Sequence, residues 1–162
     1  SHLSREAFDG LCAASDRRIV ATHSNAAALL GPGERHLTDG QVRTIAARDG
    51  VVGLNLYGKF LANGRPATMA DALAHIEHMA TVAGHTRVGL GSDFDGGFAP
   101  ADCPPGCQRP EELASLTSAL AERGWSRAEC DGFAHGNWMR VLREALPESA
   151  PAESTAARAA AR

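Results

Sequence analysis

Several things are scarce in this 162-residue chain, and each scarcity excludes something. Aromatic residues make up 5% of it, and there is a single tyrosine. Positive charge is not in excess, since the formal net charge is −3. A basic stripe with interleaved aromatics, the usual footprint of nucleic-acid binding, is therefore missing. No apolar run approaches the roughly 18 residues that a membrane span requires. No leader pattern of basic residues followed by an apolar stretch is legible either, and a cytoplasmic location is the expectation. Four cysteines, three of them in the second half, do not settle the compartment. Cys103 and Cys107 bracket a Pro-Pro-Gly loop without a second matching pair. That spacing allows a zinc pair, but it favours a local loop disulfide or two ordinary thiols.

What the chain does have is 44% hydrophobic residues, arranged as short apolar runs that alternate with helical periodicity. Residues 18–25, 51–57 and 87–93 read as buried strands. Helices are predicted over about 4–15, 38–50, 68–83, 111–123 and 126–146, the second opened by a Thr38/Gln41 capping box. The last helix holds Phe133, Trp138, Val141 and Leu142. Strands alternating with helices of this length indicate βαβ units on a parallel sheet. The predicted class is α/β, of the (β/α)₈ barrel type, with residues 1–146 forming about its C-terminal half. The Ala/Ser/Glu/Arg-rich stretch 147–162 is predicted to be a disordered tail.

Chemistry is expected where strands of such a sheet emerge at their carboxyl ends. The run Val88-Gly-Leu-Gly-Ser-Asp93-Phe-Asp95-Gly-Gly97 breaks there into two carboxylates among glycines. An Asp-rich solvated turn is the plain alternative. The run ending in Thr22-His23-Ser24-Asn25 has the same design and ends in a histidine. His2, in Ser-His-Leu-Ser, holds the equivalent place one unit earlier. Imidazoles from neighbouring strand ends are a common zinc-binding arrangement. Arg35 follows a Gly-Pro-Gly segment, where a guanidinium can take a carboxylate in a two-pronged hydrogen bond. An ordinary surface arginine is the alternative. His75 and His78 lie mid-helix without the i, i+4 spacing of a helical zinc motif and read as surface or packing residues. His36, His85 and His135 read as structural or solvated.

Taken in order, Ser-His-Leu-Ser, Thr-His-Ser-Asn, Arg35 before Leu-Thr-Asp, Gly-Leu-Asn-Leu-Tyr, Ala-His-Ile-Glu-His and Gly-Ser-Asp-Phe-Asp-Gly are distinctive. With the closing Gly136-Asn-Trp-Met-Arg-Val141, they resemble the C-terminal half of the membrane (renal-type) dipeptidase family, the M19 zinc peptidases. The resemblance implies a (β/α)₈ barrel with two zinc ions at its mouth and hydrolysis of dipeptides. It implies that His2 and His23 are ligands of one zinc. Asp93 would handle the proton passed to the leaving amine, Arg35 would hold the dipeptide carboxylate, and Asp95 would shape the turn. The family's His-x-Asp motif and its bridging glutamate have no counterpart in this sequence. The isolated chain is thus expected to bind zinc weakly, at most at one partial site, and not to turn over dipeptides. Its expected partners are a dipeptide and either a second copy, as a homodimer, or a missing N-terminal half. Two other readings stay open: a non-catalytic remnant or split-gene subunit, and a different metal-dependent amidohydrolase on the same barrel.

Overall fold

The structure, a computed structural model, describes residues 1–31 and 33–146. The tail expected over 147–162 lies outside these residues. Helix α1, Arg5–Ala14, starts where the Ser4 side chain accepts a hydrogen bond from the Ala7 N–H. Helix α2, Asp39–Ala47, carries the predicted Thr38/Gln41 capping box and buries Val42 and Ile45. Strand β1, Val52–Leu54, leads through a loop to α3, Met69–Ala83, which buries Leu73, Ile76 and Met79. Strand β2 is Val88–Leu90, followed by an irregular stretch and α4, Ala114–Glu122. The predicted last helix is helical from Arg127 to Ala145 but not uniform. A π-helical turn, Gly132–Gly136, separates α5, Arg127–Asp131, from α6, Asn137–Ala145.

β1 and β2 pair in parallel, with Val52 opposite Val88 and Leu54 opposite Leu90. On the other side of β1, Ala21 makes a parallel bridge to Val52. The spatial order of the three segments therefore follows the chain, each separated from the next by helix, and the architecture is α/β. The strands are far shorter than the predicted spans of seven or eight residues. Their apolar runs stay buried beyond the regular strands, where single backbone bonds such as Leu56 N–H to the Ser92 carbonyl continue and a side-chain amide adds to them. The Asn25 side chain both accepts from the Asn55 N–H at 2.9 Å and donates to the Asn55 carbonyl at 3.0 Å. Among the described residues, no helix is long and apolar enough to cross a membrane.

Two contacts fix how helices sit on these strands. Trp138 lies over Gly89 and donates its indole N–H to the Leu90 carbonyl at 2.8 Å. Buried Asn137 donates to the carbonyls of His85 and Val88. His75 on α3 is fully buried, which settles the packing alternative for it. Its Nδ1 accepts from the Ala26 N–H at 3.1 Å, so its Nε2 carries the proton and donates to the Leu61 carbonyl at 3.3 Å. His78 instead reaches Asp39 on α2 at 2.8 Å. Cys103 and Cys107 are buried free thiols, which corrects the disulfide alternative.

Two outcomes follow. Burial holds the His75 pKa down to about 4, below the roughly 6.5 of an unfolded chain. Stability from this residue is complete above pH 6.5 and is lost as pH falls towards 4, by on the order of 3 kcal/mol. Urea unfolding at pH 7.5 and 4.5 should show that loss in the wild type and a smaller one in His75→Gln. The second outcome concerns Gly91, where an added Cβ would lie 1.8 Å from the Thr22 carbonyl oxygen, a backbone atom. Gly91→Ala should cost at least about 1–3 kcal/mol. Gly10→Ala, in α1 with nothing within 4 Å, should instead stabilise by about 0.5–1 kcal/mol in the same thermal-unfolding comparison.

Candidate active site

The carboxyl ends of the three extended segments bring His23, Asn55 and Asp93 side by side. The His23 ring is oriented by the residue before it, with Nδ1 and the Thr22 hydroxyl 2.8 Å apart. This leaves Nε2 facing out of the strand end. There it lies 2.9 Å from Nε2 of His2, with the two rings tilted 57° to each other. The Ser1 hydroxyl accepts from the His23 N–H at 3.0 Å and lies near the Thr22 hydroxyl. The segment before α1 is thereby tied to the neighbouring strand end.

Asp93 is the third member. Its backbone is left-handed, with φ +61°, a conformation that Asp tolerates better than most non-glycine residues. The turn closes through the Gly96 N–H, which donates to the Asp93 carbonyl at 3.0 Å. A Cβ at Gly96 would come within 2.7 Å of the Asp93 carbonyl oxygen, a backbone atom, so the turn favours glycine there. Oδ1 faces His23 Nε2 at 3.8 Å, and Oδ2 accepts from Asn55 Nδ2 at 2.8 Å. Asp95 also has a positive φ, +62°, but its side chain is exposed on the turn.

Arg35 is half-buried beside this group. Both terminal nitrogens donate to the His23 carbonyl at 3.3 Å, and one lies 3.4 Å from the Ser24 hydroxyl. Its guanidinium carbon sits 4.6 Å from the Phe60 ring centre, a cation–π placement that partly offsets desolvation. Phe60 packs edge-on to Tyr57, which stacks on Phe98 at 4.7 Å. Burial pushes the His23 pKa below its ordinary value; Arg35 and His2 push the same way, against Asp93. His23 is consequently a neutral imidazole near pH 7, as a metal ligand must be.

The four residues singled out from the sequence thus meet at one strand-end cluster. His75, His78 and His135 do not join it, and His36 packs edge-on to Phe60 at 5.3 Å. The residues that sequence reasoning passed over are Asn25 and Asn55, both fully buried. One signal was available, since an asparagine inside the apolar run Val51-Val-Gly-Leu-Asn-Leu must find hydrogen-bond partners if that run is buried. A cavity of 1090 Å³ lies elsewhere, lined by Arg65, Met69, Asp102 and Cys103 among others and by none of the four.

Two imidazole nitrogens 2.9 Å apart can both lie about 2.0–2.1 Å from one common point. Neutral imidazoles suit zinc, as they do copper, iron and nickel. The pair therefore fits as part of a zinc donor set. No group of three His, Cys, Asp or Glu side chains that could hold a metal occurs among the described residues.

Known proteins share this arrangement of the chain. A Klebsiella pneumoniae protein encoded in the pqqA 5′ region is 36% identical over 147 residues, spanning 88% of this chain and 52% of its own length. Dipeptidase aclJ of Aspergillus oryzae is 32% identical over 126 residues, spanning 76% of this chain and 29% of its own. A Rhodobacter sphaeroides metallopeptidase, solved with a phosphinate mimic of the dipeptide L-Ala-D-Ala, superposes with a TM-score of 0.81 at 36% identity. That likeness covers 90% of this chain and 41% of the other. The chain spans about half or less of the length of these relatives. Residues 1–155 match the family described as membrane dipeptidase, peptidase family M19, and the chain belongs to that family.

Proposed function

We propose that this chain is the C-terminal part, residues 1–146, of a (β/α)₈ barrel zinc dipeptidase. The observation that carries the reading is the strand-end cluster, with His2 and His23 Nε2 atoms 2.9 Å apart and Asp93 Oδ1 3.8 Å from His23. His2 and His23 would hold zinc, which when bound polarises an amide carbonyl and lowers the pKa of water. The remaining roles belong to this chain's own side chains. Asp93 Oδ1, without another hydrogen-bond partner among the described residues and turned towards His23, accepts a proton and passes it to the leaving amine. Arg35, held against Phe60 and the His23 carbonyl, receives the free carboxylate of the dipeptide. The substrate class follows from that carboxylate contact and from the dipeptide mimic bound by the Rhodobacter relative.

A second reading is favoured by the incompleteness of the donor set among the described residues. In it the chain contributes half a site and acts only with a separate N-terminal segment carrying His-x-Asp, or not at all.

The isolated chain should retain zinc weakly in equilibrium dialysis, should lose that retention in His23→Ala, and should not hydrolyse L-Ala-D-Ala. Stoichiometric zinc together with turnover by the chain alone would show the site to be complete. Co-expression with an N-terminal segment bearing His-x-Asp should restore turnover. Asp93→Asn should then lower kcat by roughly 10²–10⁴-fold, whereas Arg35→Ala should act mainly on KM for substrates with a free carboxylate. An Arg35→Ala variant indifferent to that carboxylate would favour another amidohydrolase chemistry on this scaffold.

A further inference from the structure

Asp93 lies on a turn, and its two oxygens have different surroundings. Oδ2 takes a hydrogen bond from Asn55 Nδ2 at 2.8 Å, while Oδ1 faces His23. The direction of the Asn55 amide is fixed independently. Asn55 Oδ1 accepts from the Tyr57 N–H at 2.7 Å, and a backbone N–H cannot accept, so the NH₂ group must point at Asp93. Asn55 is in turn held on both backbone sides by Asn25, whose Nδ2 also donates to the Phe60 carbonyl at 2.6 Å. Asn25 and Asn55 are each 0% exposed. In such surroundings a misdirected amide would leave polar atoms unpaired at a cost that keeps it from being populated.

We infer that Asn55 is the positioning residue for Asp93: it occupies Oδ2 with a donor and so reserves Oδ1 for proton handling next to the histidine pair. This rests on the dipeptidase reading for what Oδ1 does, but not for which oxygen is free. Asn25 serves the same arrangement one step back, linking the His23 strand end to the Asn55 strand end.

The test reads the His23 ring by NMR on the full chain with isotope-labelled histidine, assigned through His23→Gln. Asn55→Asp keeps an acceptor for the Tyr57 N–H and the size of the side chain, and removes the donor to Asp93. It should move the His23 ring resonances, as should Asn55→Ala. In an Asp93→Ala background neither Asn55 substitution should move them further. Should either Asn55 substitution unfold the chain, Asn55→Asp combined with Asp93→Asn is the working variant. It re-forms the bond with its polarity reversed and should recover most of the Tm lost in Asn55→Asp alone. His23 signals unmoved by the Asn55 variants, signals moved equally with and without Asp93, or no recovery of Tm in the double variant would each overturn the inference. Neither zinc nor a dipeptide enters these measurements. Dipeptide turnover that survives Asp93→Asn would instead remove the proposed reaction and leave the Asn55–Asp93 coupling standing.

Discussion

The carboxyl ends of three parallel segments can lie side by side only if their buried polar groups find partners. Two asparagines meet that constraint. Asn25 extends the backbone ladder between the first segment and β1, whose last backbone bond is Ser24 N–H to the Gly53 carbonyl, and Asn55 bridges from β1 to the turn after β2. Between β1 and β2 the Leu56 N–H still donates to the Ser92 carbonyl at 3.2 Å, and the chain stays buried through Leu56. Without the Asn25 amide, the N–H and carbonyl of Asn55 would be buried and unpaired, at about 1–3 kcal/mol each. The positions of His23, Arg35 and Asp93 follow from this join. Arg35 donates to the His23 carbonyl, and Asp93 hangs from Asn55.

The opposite ends of the strands are organised by charge. Asp49, left-handed at φ +59° after α2, receives Arg18, Arg87 and Arg140. These arginines come from just before the first segment, from just before β2, and from α6. The arginines hold the Asp49 carboxyl below its ordinary range even against the opposing effect of burial. Because the Asp49 side chain is partly exposed, water and salt weaken this cluster. The two ends of the sheet thus differ in kind. One is fixed by buried hydrogen bonds, which also set the geometry of a candidate site, and the other by partly exposed ion pairs that gather the elements.

Much of this was legible beforehand, for identifiable reasons. The alternation of apolar runs with capped helices placed α2, α3 and the strand-end residues, because capping and periodicity are local signals. The Asp93 turn was visible because carboxylates and glycines interrupt an apolar run. Strand lengths were not legible, since an apolar run reports burial and cannot tell a backbone ladder from an asparagine-mediated join. The π-helical turn at Gly132–Gly136 was hidden inside a regular helical pattern. There α6 has to set Asn137 and Trp138 against the backbone of β2, a tertiary demand without a local signature. The contacts of His75 depend on loop carbonyl and amide groups brought from 14 and 49 residues away.

Charge at the candidate site explains why a two-histidine set should hold a cation only weakly. Within the cluster the ionised groups are Asp93 and Arg35, which cancel in sign, and the imidazole of His23 is neutral. The influences that lower the proton affinity of His23, namely burial and the positive field of Arg35, act in the same direction on any other cation. Asp93 opposes them, but one of its oxygens is already engaged by Asn55. A divalent ion leaving water for such surroundings lacks the negative charge that would compensate its desolvation. On the proposed reading, that charge is what the carboxylates of a His-x-Asp motif and a bridging glutamate would add. On the same reading the guanidinium over Phe60 is the group of this cluster suited by charge and geometry to a substrate carboxylate.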